Sequence, residues 1–374
     1  MPLTETAMPA DLASTRAPRH VLILGASYGS LLATKLLMAG HRATLVCTRP
    51  TAELINREGT VVRFPLRERG ASVDIASRAL PGELRAGTPE EIDPAAFDLV
   101  VLGMQEGQYA SRGVRELMGR IARSEVPCLA IMNMPPLPFL ARIPGLATEA
   151  LEGCYADPSV WQGFDPARFT LASPDPQAFR PPEQPKNVLH VGLPTNFKVA
   201  RFEDAAHTAL LRELEADIEA ARLEQDGAAL EIPVKLKVHD SVFVPLAKWP
   251  MLIAGNYRCI RPDRMIPIRE AVHGDVDRSR EVYEWVAQLC TRLGAEAADL
   301  VPFEKYAKAA EGLAKPSSAA RALMGGAQHI ERVDSLVGRI ARQLGLESDV
   351  VREIVSLVDD YLGRNQVARV EQAA

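Results

Sequence analysis

The sequence RHVLILGASYGSLLATKLLMAGHRATLVCTRP, residues 19–50, decides the fold. Its apolar run at 21–24 is typical of a strand that is buried on both faces of a parallel sheet. Leucines at helical spacing over 28–39, followed by Gly40 at a usual helix-capping position, predict a helix. Residues 43–47 supply a second apolar strand. A strand, a tight turn, a helix and a second strand in this order predict a βαβ unit.

The α/β pattern continues through the first half of the chain. The segments DLVVLGM and CLAIMNM, at 98–104 and 128–134, predict two further buried strands with an amphipathic helix between them. Shorter strands are predicted at 61–64, 72–75 and 187–192. Residues 135–185 are rich in proline and aromatic side chains, and we expect loops and short strands there.

Helical periodicity dominates the second half of the chain. Helices are predicted at 204–223, 234–249, 265–293, 316–344 and 348–362. We therefore expect a flexible tail at 1–18, an α/β domain at 19–226 and an all-helical domain at 227–374.

The composition of the chain excludes several classes of function. Of the 374 residues, 47% are hydrophobic and 24% are charged, and the formal net charge is -5, which are ordinary values for a globular protein. An acidic chain lacks the positive field that nucleic acid and anionic lipid surfaces need, so we expect neither as a partner. No apolar stretch is long enough for a membrane span, and the N-terminal residues lack the apolar core of a signal peptide. The five cysteines form no CxxC pair, which predicts reduced thiols in a cytoplasmic protein without a bound metal.

The turn after the first predicted strand reads Gly25-Ala-Ser27-Tyr28-Gly29-Ser30, where a GxGxxG motif would cradle a dinucleotide pyrophosphate. Gly25 permits the tight turn, and the helix N-terminus offers free N–H groups to phosphate. Ser27 and Ser30 replace the second and third glycines, but serine is small and its hydroxyl donates to phosphate oxygens. We expect Gly29 to take over part of the close packing between helix and strand. The alternative is a tight turn in an α/β domain that binds no nucleotide.

The end of the second strand distinguishes between cofactors. NAD-specific sites place Asp or Glu there to hold the ribose hydroxyls, whereas this chain has Thr48 and Arg49. A guanidinium suits a 2′-phosphate through paired, charged hydrogen bonds. The sequence therefore favours NADP(H) over NAD, the alternative being that Arg49 is a solvated loop residue.

With these motifs the chain resembles the ketopantoate reductases and, more loosely, the opine and 6-phosphogluconate dehydrogenases. The resemblance covers most of residues 20–362 and implies an α/β N-terminal Rossmann domain plus an all-α C-terminal domain. It also implies a substrate cleft between the domains, NADPH-dependent reduction of a small 2-oxo acid, and a homodimer.

The resemblance assigns roles to individual residues. Asn133 matches an asparagine that lies near the nicotinamide and the substrate, and Gln105 stands where the family often has a lysine close to the cofactor phosphate. The family's helical domain opens with a catalytic lysine, three residues and a substrate-binding asparagine. Lys235 matches that lysine, but His239 replaces the asparagine.

A second substrate-binding group is implied near the C-terminus. Ser317 and Ser318 match a serine pair of the family, and the acidic residue that follows falls at His329 or Glu331. These departures lie at substrate-facing positions, whereas the scaffold positions match. We therefore expect hydride chemistry on a substrate other than ketopantoate, and the long 135–185 segment with Trp249 favours a bulkier one.

Hydride reduction of a carbonyl or an imine leaves negative charge on oxygen or nitrogen, so an acid must lie within hydrogen-bonding reach. We expect Lys235 to donate this proton. His239 would share its helix face four residues on and orient the substrate or act as the donor itself, whereas Lys237 would point elsewhere. The alternatives are an exposed helix lysine and a histidine with a packing role.

Two other functions stay open. Asn256, after Ala254-Gly255, has a counterpart in opine dehydrogenases, which join an amino acid to a 2-oxo acid by reductive amination. A non-catalytic sensor would keep the nucleotide-binding domain without an acid in the cleft, and the pair of Lys235 and His239 argues against it.

Overall fold

The computed structural model describes residues 17–66, 70–225 and 227–373, so the predicted tail at 1–18 lies almost wholly outside the described residues. The predicted βαβ unit is confirmed. It consists of β1 (His20–Leu24), α1 (Gly29–Met38) and β2 (Arg42–Val46), and the two strands are parallel neighbours.

Further strands and helices complete the α/β part. They are α2 (Arg49–Glu58), β3 (Val61–Leu66), β4 (Ala71–Ala76), β5 (Glu83–Gly87), β6 (Leu99–Leu102), α3 (Arg112–Ser124), β7 (Cys128–Ile131), α4 (Leu137–Leu140), β8 (Phe169–Ser173), β9 (Gln177–Phe179), β10 (Val188–Leu193), β11 (Phe197–Ala200), α5 (Ala205–Ala220), β12 (Leu223–Gln225), β13 (Ala228–Leu230) and β14 (Leu236–His239).

The large sheet has the strand order β14-β11-β8-β7-β6-β1-β2-β5. Its strands from β5 to β8 are all parallel to their neighbours, whereas β11 runs antiparallel to β8. The C-terminal ends of β5, β2, β1, β6, β7 and β8 therefore meet at one side, which we call the carboxyl edge. The chain crosses from one half of the sheet to the other beside β1, and ligands bind at such a switch point in open α/β sheets.

A second, smaller sheet has the order β4-β3-β10-β9. The proline-rich segment 135–185 contributes to both sheets, because β8 joins the large one and β9 the small one. The prediction of loops and short strands in this segment is therefore confirmed, and three short 3₁₀ turns precede β8.

The rest of the chain, 244–373, forms what we call the helical lobe. Its helices are α6 (Lys248–Met251), α7 (Ile268–His273), α8 (Val276–Leu293), α9 (Phe303–Ala310), α10 (Ser318–Met324), α11 (Val333–Gln343) and α12 (Asp349–Ala373), and a π-helical turn at Leu252–Asn256 continues α6. The α/β plus all-α architecture is thus confirmed.

The predicted helix at 234–249 is wrong. Its first part is the edge strand β14, and helical structure begins only at Val244. Because β14 pairs with β11, the large sheet extends beyond residue 226 into the segment that the sequence assigned to the helical domain. The alternating pattern Leu-Lys-Val-His explains the difference, since period two favours a strand.

Both faces of the large sheet are buried. Leu22 and Leu24 of β1 belong to a core shared with the helical lobe, whereas Val21 and Ile23 belong to a second core with α1 and α5. All four side chains have no exposed area. The helical lobe therefore packs on one face of the sheet, and α1 and α5 cover the other.

Replacing Gly29 by alanine should destabilise the protein. A Cβ atom there would lie 2.6 Å from Cγ2 of Ile23 in the buried strand β1, so the helix must move away from the sheet. We expect the free energy of unfolding to fall by about 1–3 kcal/mol, measured by denaturant titration.

Gly363→Ala in α12 is the matched control, because nothing lies within 4 Å of its Cβ position. It should gain up to about 1 kcal/mol from helix propensity. Equal effects of the two substitutions would contradict close packing at Gly29.

Candidate active site

The turn between β1 and α1 has the geometry that the motif predicts. Gly25 has a φ of +103°, and a Cβ atom there would lie 2.7 Å from the Met104 side chain and 3.0 Å from the carbonyl of Gly103. Only glycine fits this position, because the loop after β6 approaches the turn so closely. Gly29 packs against β1, as the sequence predicts.

This turn leaves donors free for an anion. In the part of the chain that the structure describes, no hydrogen bond is made by the N–H groups of Ala26, Ser27 or Tyr28. The Ser27 side chain is exposed at the same place. Ser30 does not match its predicted role, because it is buried and its hydroxyl donates to the carbonyl of Ala26 at 2.5 Å.

The end of β2 carries Thr48 and Arg49 at the start of α2. The hydroxyls of Thr48 and Thr51 are hydrogen-bonded at 3.1 Å across the first turn of the helix. The Arg49 side chain is 63% exposed, and its Nη1 lies 3.1 Å from the Glu91 carboxylate in the loop after β5. The guanidinium thus stands at the carboxyl edge, already paired with one anion.

The structure brings Asn133 and Glu331 together, although 198 residues separate them in sequence. Asn133 follows β7 at the carboxyl edge, and Glu331 belongs to the segment before α11 of the helical lobe. The Asn133 amide Nδ2 donates to Glu331 Oε2 at 3.3 Å, while Asn133 Oδ1 is buried and has no partner among the described residues. This free acceptor is available to a bound molecule.

Glu106 is a site residue that the sequence analysis missed. It lies in the loop after β6, is 3% exposed and accepts the N–H of Ala156 at 3.1 Å. Burial raises the pKa of Glu106, and burial together with the charge of Glu106 raises the pKa of Glu331 to about 7. A glutamate beside Gln105 carries no sequence signal of its own, because only the fold shows that it is buried.

Gln105 itself is exposed. Its N–H donates to Gln108 Oε1 at 3.0 Å in a capping turn. This exposed amide lies at the carboxyl edge, one residue before Glu106, and its predicted contact with the cofactor stays a prediction.

The structure places Lys235 away from the cleft between the two parts. Its amine is nearly buried on the α5 side of the sheet, 3.0 Å from Glu231 and 3.5 Å from Glu219. Lys237 was expected to point elsewhere, yet its amine also lies 2.6 Å from Glu219. Both amines thus serve an ion-pair network that links β14 to the end of α5.

His239 and Lys235 do not share a helix face, because β14 is extended. Four residues of strand span about 13 Å, so the two side chains lie at different ends of β14. Burial lowers the pKa of His239, and the carbonyl of His239 accepts the N–H of Arg201 at 2.9 Å. The prediction that these two residues share one helix face and act on one substrate is therefore wrong, because β14 is a strand.

Lys248, rather than Lys235, reaches the carboxyl edge from the helical lobe. It opens α6 of the helical lobe and reaches the loop after β8, where its amine lies 2.9 Å from Asp175 and 3.3 Å from the carbonyl of Pro174. Because β7 and β8 are neighbours, Lys248 and Asn133 stand at adjacent strand ends of the carboxyl edge. The sequence signal was a lysine opening a helix, followed four residues on by Leu252 rather than asparagine.

The remaining predicted substrate contacts are arranged differently. The Ser317 hydroxyl is buried, donates to the carbonyl of Asn256 at 2.6 Å and accepts the N–H of Ala320, so it caps α10. Ser318 is exposed one residue further on. His329 is exposed, and its Cβ lies 3.6 Å from the Cβ position of Gly107 in the loop after β6. His329 thus lies beside the loop that carries Glu106.

Among residues 17–66, 70–225 and 227–373, no group of three or more His, Cys, Asp or Glu side chains has the arrangement of a metal site. No described helix has the length and apolar character that crossing a membrane requires.

Comparison with known proteins gives the same fold. A D-mandelate dehydrogenase with NADH and anilino(oxo)acetate superposes with a TM-score of 0.61 at 13% identity, covering 93% of this chain and 99% of that one. A ketopantoate reductase from Ralstonia eutropha JMP134 gives 0.58 at 17% identity, with coverage of 93% and 99%. The dimeric ketopantoate reductase from Staphylococcus aureus gives 0.58 at 11% identity, with coverage of 92% and 99%.

These likenesses span almost the whole of each chain and confirm the predicted resemblance at the level of the fold. No family model matches the sequence, and no curated protein matches it either. At identities below 20% the shared architecture does not carry over an activity. The side chains at the carboxyl edge therefore decide which chemistry the site supports.

The raised pKa of Glu331 predicts that the stability of the folded protein depends on pH. Between the ordinary value of 4.5 and about 7, the unfolded chain loses the proton while the folded protein keeps it. The folded state is therefore favoured at low pH, and this contribution is lost as the pH rises through 7. Glu331→Gln is neutral throughout and still accepts from Asn133, so its melting temperature relative to the unsubstituted protein should rise between about pH 5 and about pH 8.

Glu116→Gln in α3 is the control, since that carboxylate is 61% exposed. Its difference from the unsubstituted protein should not change with pH. A flat difference for Glu331→Gln would show that this carboxyl group titrates normally.

Proposed function

We propose that this protein is an NAD(P)-dependent oxidoreductase of the ketopantoate reductase type, which reduces the carbonyl of a 2-oxo acid. The observation that carries the proposal is the meeting of Asn133 and Glu331, from the two parts of the chain, at the carboxyl edge. A free phosphate-type turn lies at the same edge, and Lys248 reaches it from the helical lobe.

The residues present fit a nicotinamide dinucleotide. The free N–H groups of Ala26, Ser27 and Tyr28 and the Ser27 hydroxyl would hold the pyrophosphate. Arg49 at the end of β2 would take the 2′-phosphate of NADPH in exchange for Glu91. When bound, the cofactor supplies a hydride at its nicotinamide ring. Asn133 Oδ1, buried without a partner among the described residues, would accept a donor from the ring's carboxamide or the substrate.

Lys248 would act as the general acid. As the carbonyl carbon gains the hydride, its oxygen gains the electron pair of the C=O bond, and an ammonium proton neutralises it. Asp175, 2.9 Å away, directs the Lys248 amine to the end of β8. Lys235 is less suited, because two glutamates already hold its amine on the other face of the sheet.

Glu331 would bind the substrate with Asn133. A protonated Glu331 donates a hydrogen bond to a substrate carboxylate or hydroxyl, and a pKa of about 7 makes that form abundant near neutrality. His329, beside the loop after β6, would contribute a further contact to the substrate.

An opine-type dehydrogenase is the second candidate. Two carboxyl groups, Glu106 and Glu331, lie close together, and an ammonium group bound beside them would favour their ionised forms. An amino acid as second substrate would supply that group and condense with the 2-oxo acid before reduction. The two carboxyl groups therefore favour reductive amination as the alternative to simple carbonyl reduction.

A homodimer is the expected assembly, as in the dimeric ketopantoate reductase from Staphylococcus aureus that shares the fold. We expect cytoplasmic location and small-molecule substrates, with neither nucleic acid nor membrane as a partner. Light scattering of the pure protein measures the assembly directly.

A screen of 2-oxo acids tests the proposed function. Oxidation of NADPH, followed by absorbance, should accelerate with at least one 2-oxo acid, and bulky side chains should be preferred to that of ketopantoate. Each acid is also tested with amino acids present. A rate that requires the amino acid identifies the opine reaction, and dinucleotide binding without turnover on any acid would contradict both enzymatic proposals.

Lys248→Ala should lower turnover on an identified substrate at least ~100-fold, the usual contribution of a general acid. The matched variant Lys235→Ala should leave turnover per folded molecule nearly unchanged, although it lowers stability by removing the closer of two cations that pair with Glu231. Steady-state rates are measured on protein whose folded fraction is known from circular dichroism. The reverse order of effects would return the acid to Lys235.

A further inference from the structure

The segment that leads into strand β9 contacts the turn between β1 and α1. Just before the strand, the carbonyl of Pro176 accepts the hydroxyl of Tyr28 from the phosphate-type turn at 2.7 Å. Within the strand, Ala178 packs against the same core as Tyr28 and Cys47. Because Tyr28 follows β1 and Cys47 follows β2, the segment 176–180 extends along the carboxyl edge from the first strand towards the second.

This is the direction in which a dinucleotide lies in such domains. Its pyrophosphate sits at the turn after the first strand, and its adenosine ribose sits at the end of the second strand. In this chain the ribose position falls near Cys47 and Thr48.

Arg180 ends this segment. It lies close enough to Cys47 for its charge to oppose burial, which raises the pKa of the Cys47 thiol to about 11. The guanidinium is partly buried, and burial lowers its pKa. Among the described residues it makes no ion pair and no hydrogen bond, whereas Arg49 at the same edge is paired with Glu91 at 3.1 Å.

A partly buried cation without a counter-ion is costly, and an anion that binds next to it recovers that cost. Arg49 already shares its charge with Glu91, whereas Arg180 has no such partner in the described chain. An incoming phosphate would therefore meet an uncompensated positive charge at Arg180.

We propose that Arg180 is a specificity residue that binds the 2′-phosphate of NADP(H) together with Arg49. The proposal rests on the proposed function, since it requires a dinucleotide along the carboxyl edge. In this proposal, strand β9 places a second guanidinium next to the ribose.

The test is a titration of the full-length protein with NADPH, NADH and the fragment 2′,5′-ADP, each followed by calorimetry. In Arg180→Gln the affinity for NADPH and for 2′,5′-ADP should fall about 10- to 100-fold, the usual effect of losing a charged hydrogen bond. The affinity for NADH should change less than about threefold, because NADH lacks the phosphate. Arg180→Lys should retain part of the preference.

Arg57→Gln is the matched control, because it removes one positive charge from the far end of α2, where Arg57 is 65% exposed and paired with Glu58. It should leave all three affinities unchanged. Equal losses for NADPH and NADH in Arg180→Gln, or no loss for either, would overturn the assignment. Failure of the unsubstituted protein to bind any dinucleotide would instead contradict the proposed function, so the two failures are distinct.

Discussion

The packing of the helical lobe on one face of a parallel sheet is the constraint on which the site depends. Parallel strands bury both faces, so a ligand can reach them only at an end. In this protein α1 and α5 cover one face and the helical lobe the other, which leaves the carboxyl edge as the place where loops from both parts meet. The hydrogen bond from Asn133 to Glu331 joins the two parts of the chain there.

The polar and charged groups at the carboxyl edge come from segments far apart in sequence, and each kind of group lies at its own strand end. Near the phosphate-type turn the free groups are donors, as an anion needs. Between β6 and the helical lobe they are the carboxyl groups of Glu106 and Glu331, whose pKa values burial raises. At the end of β8 an amine, Lys248, is held by Asp175. Free N–H donors, two carboxyl groups and a paired amine thus follow one another along one edge.

The sequence predicted the parts of this arrangement that local patterns encode. The apolar run of β1, Gly25 and the helix after it are encoded within residues 19–50, and the structure confirms them. The resemblance also pointed to Asn133 and Glu331. Lys235 was misplaced because the short segment at 236–239 has both strand and helix character, and only its pairing with β11 decides between them. The burial of Glu106 depends on Ala156 and on the helical lobe, far away in sequence, so no local pattern reveals it.

A crystal structure of the protein with NADPH would show whether the dinucleotide lies along the carboxyl edge. We expect the pyrophosphate at the N–H groups of residues 26–28 and the nicotinamide ring at the ends of β6 and β7, within reach of Asn133 and on the side of Lys248. A dinucleotide bound elsewhere, or one whose nicotinamide ring faces solvent away from the helical lobe, would contradict this expectation.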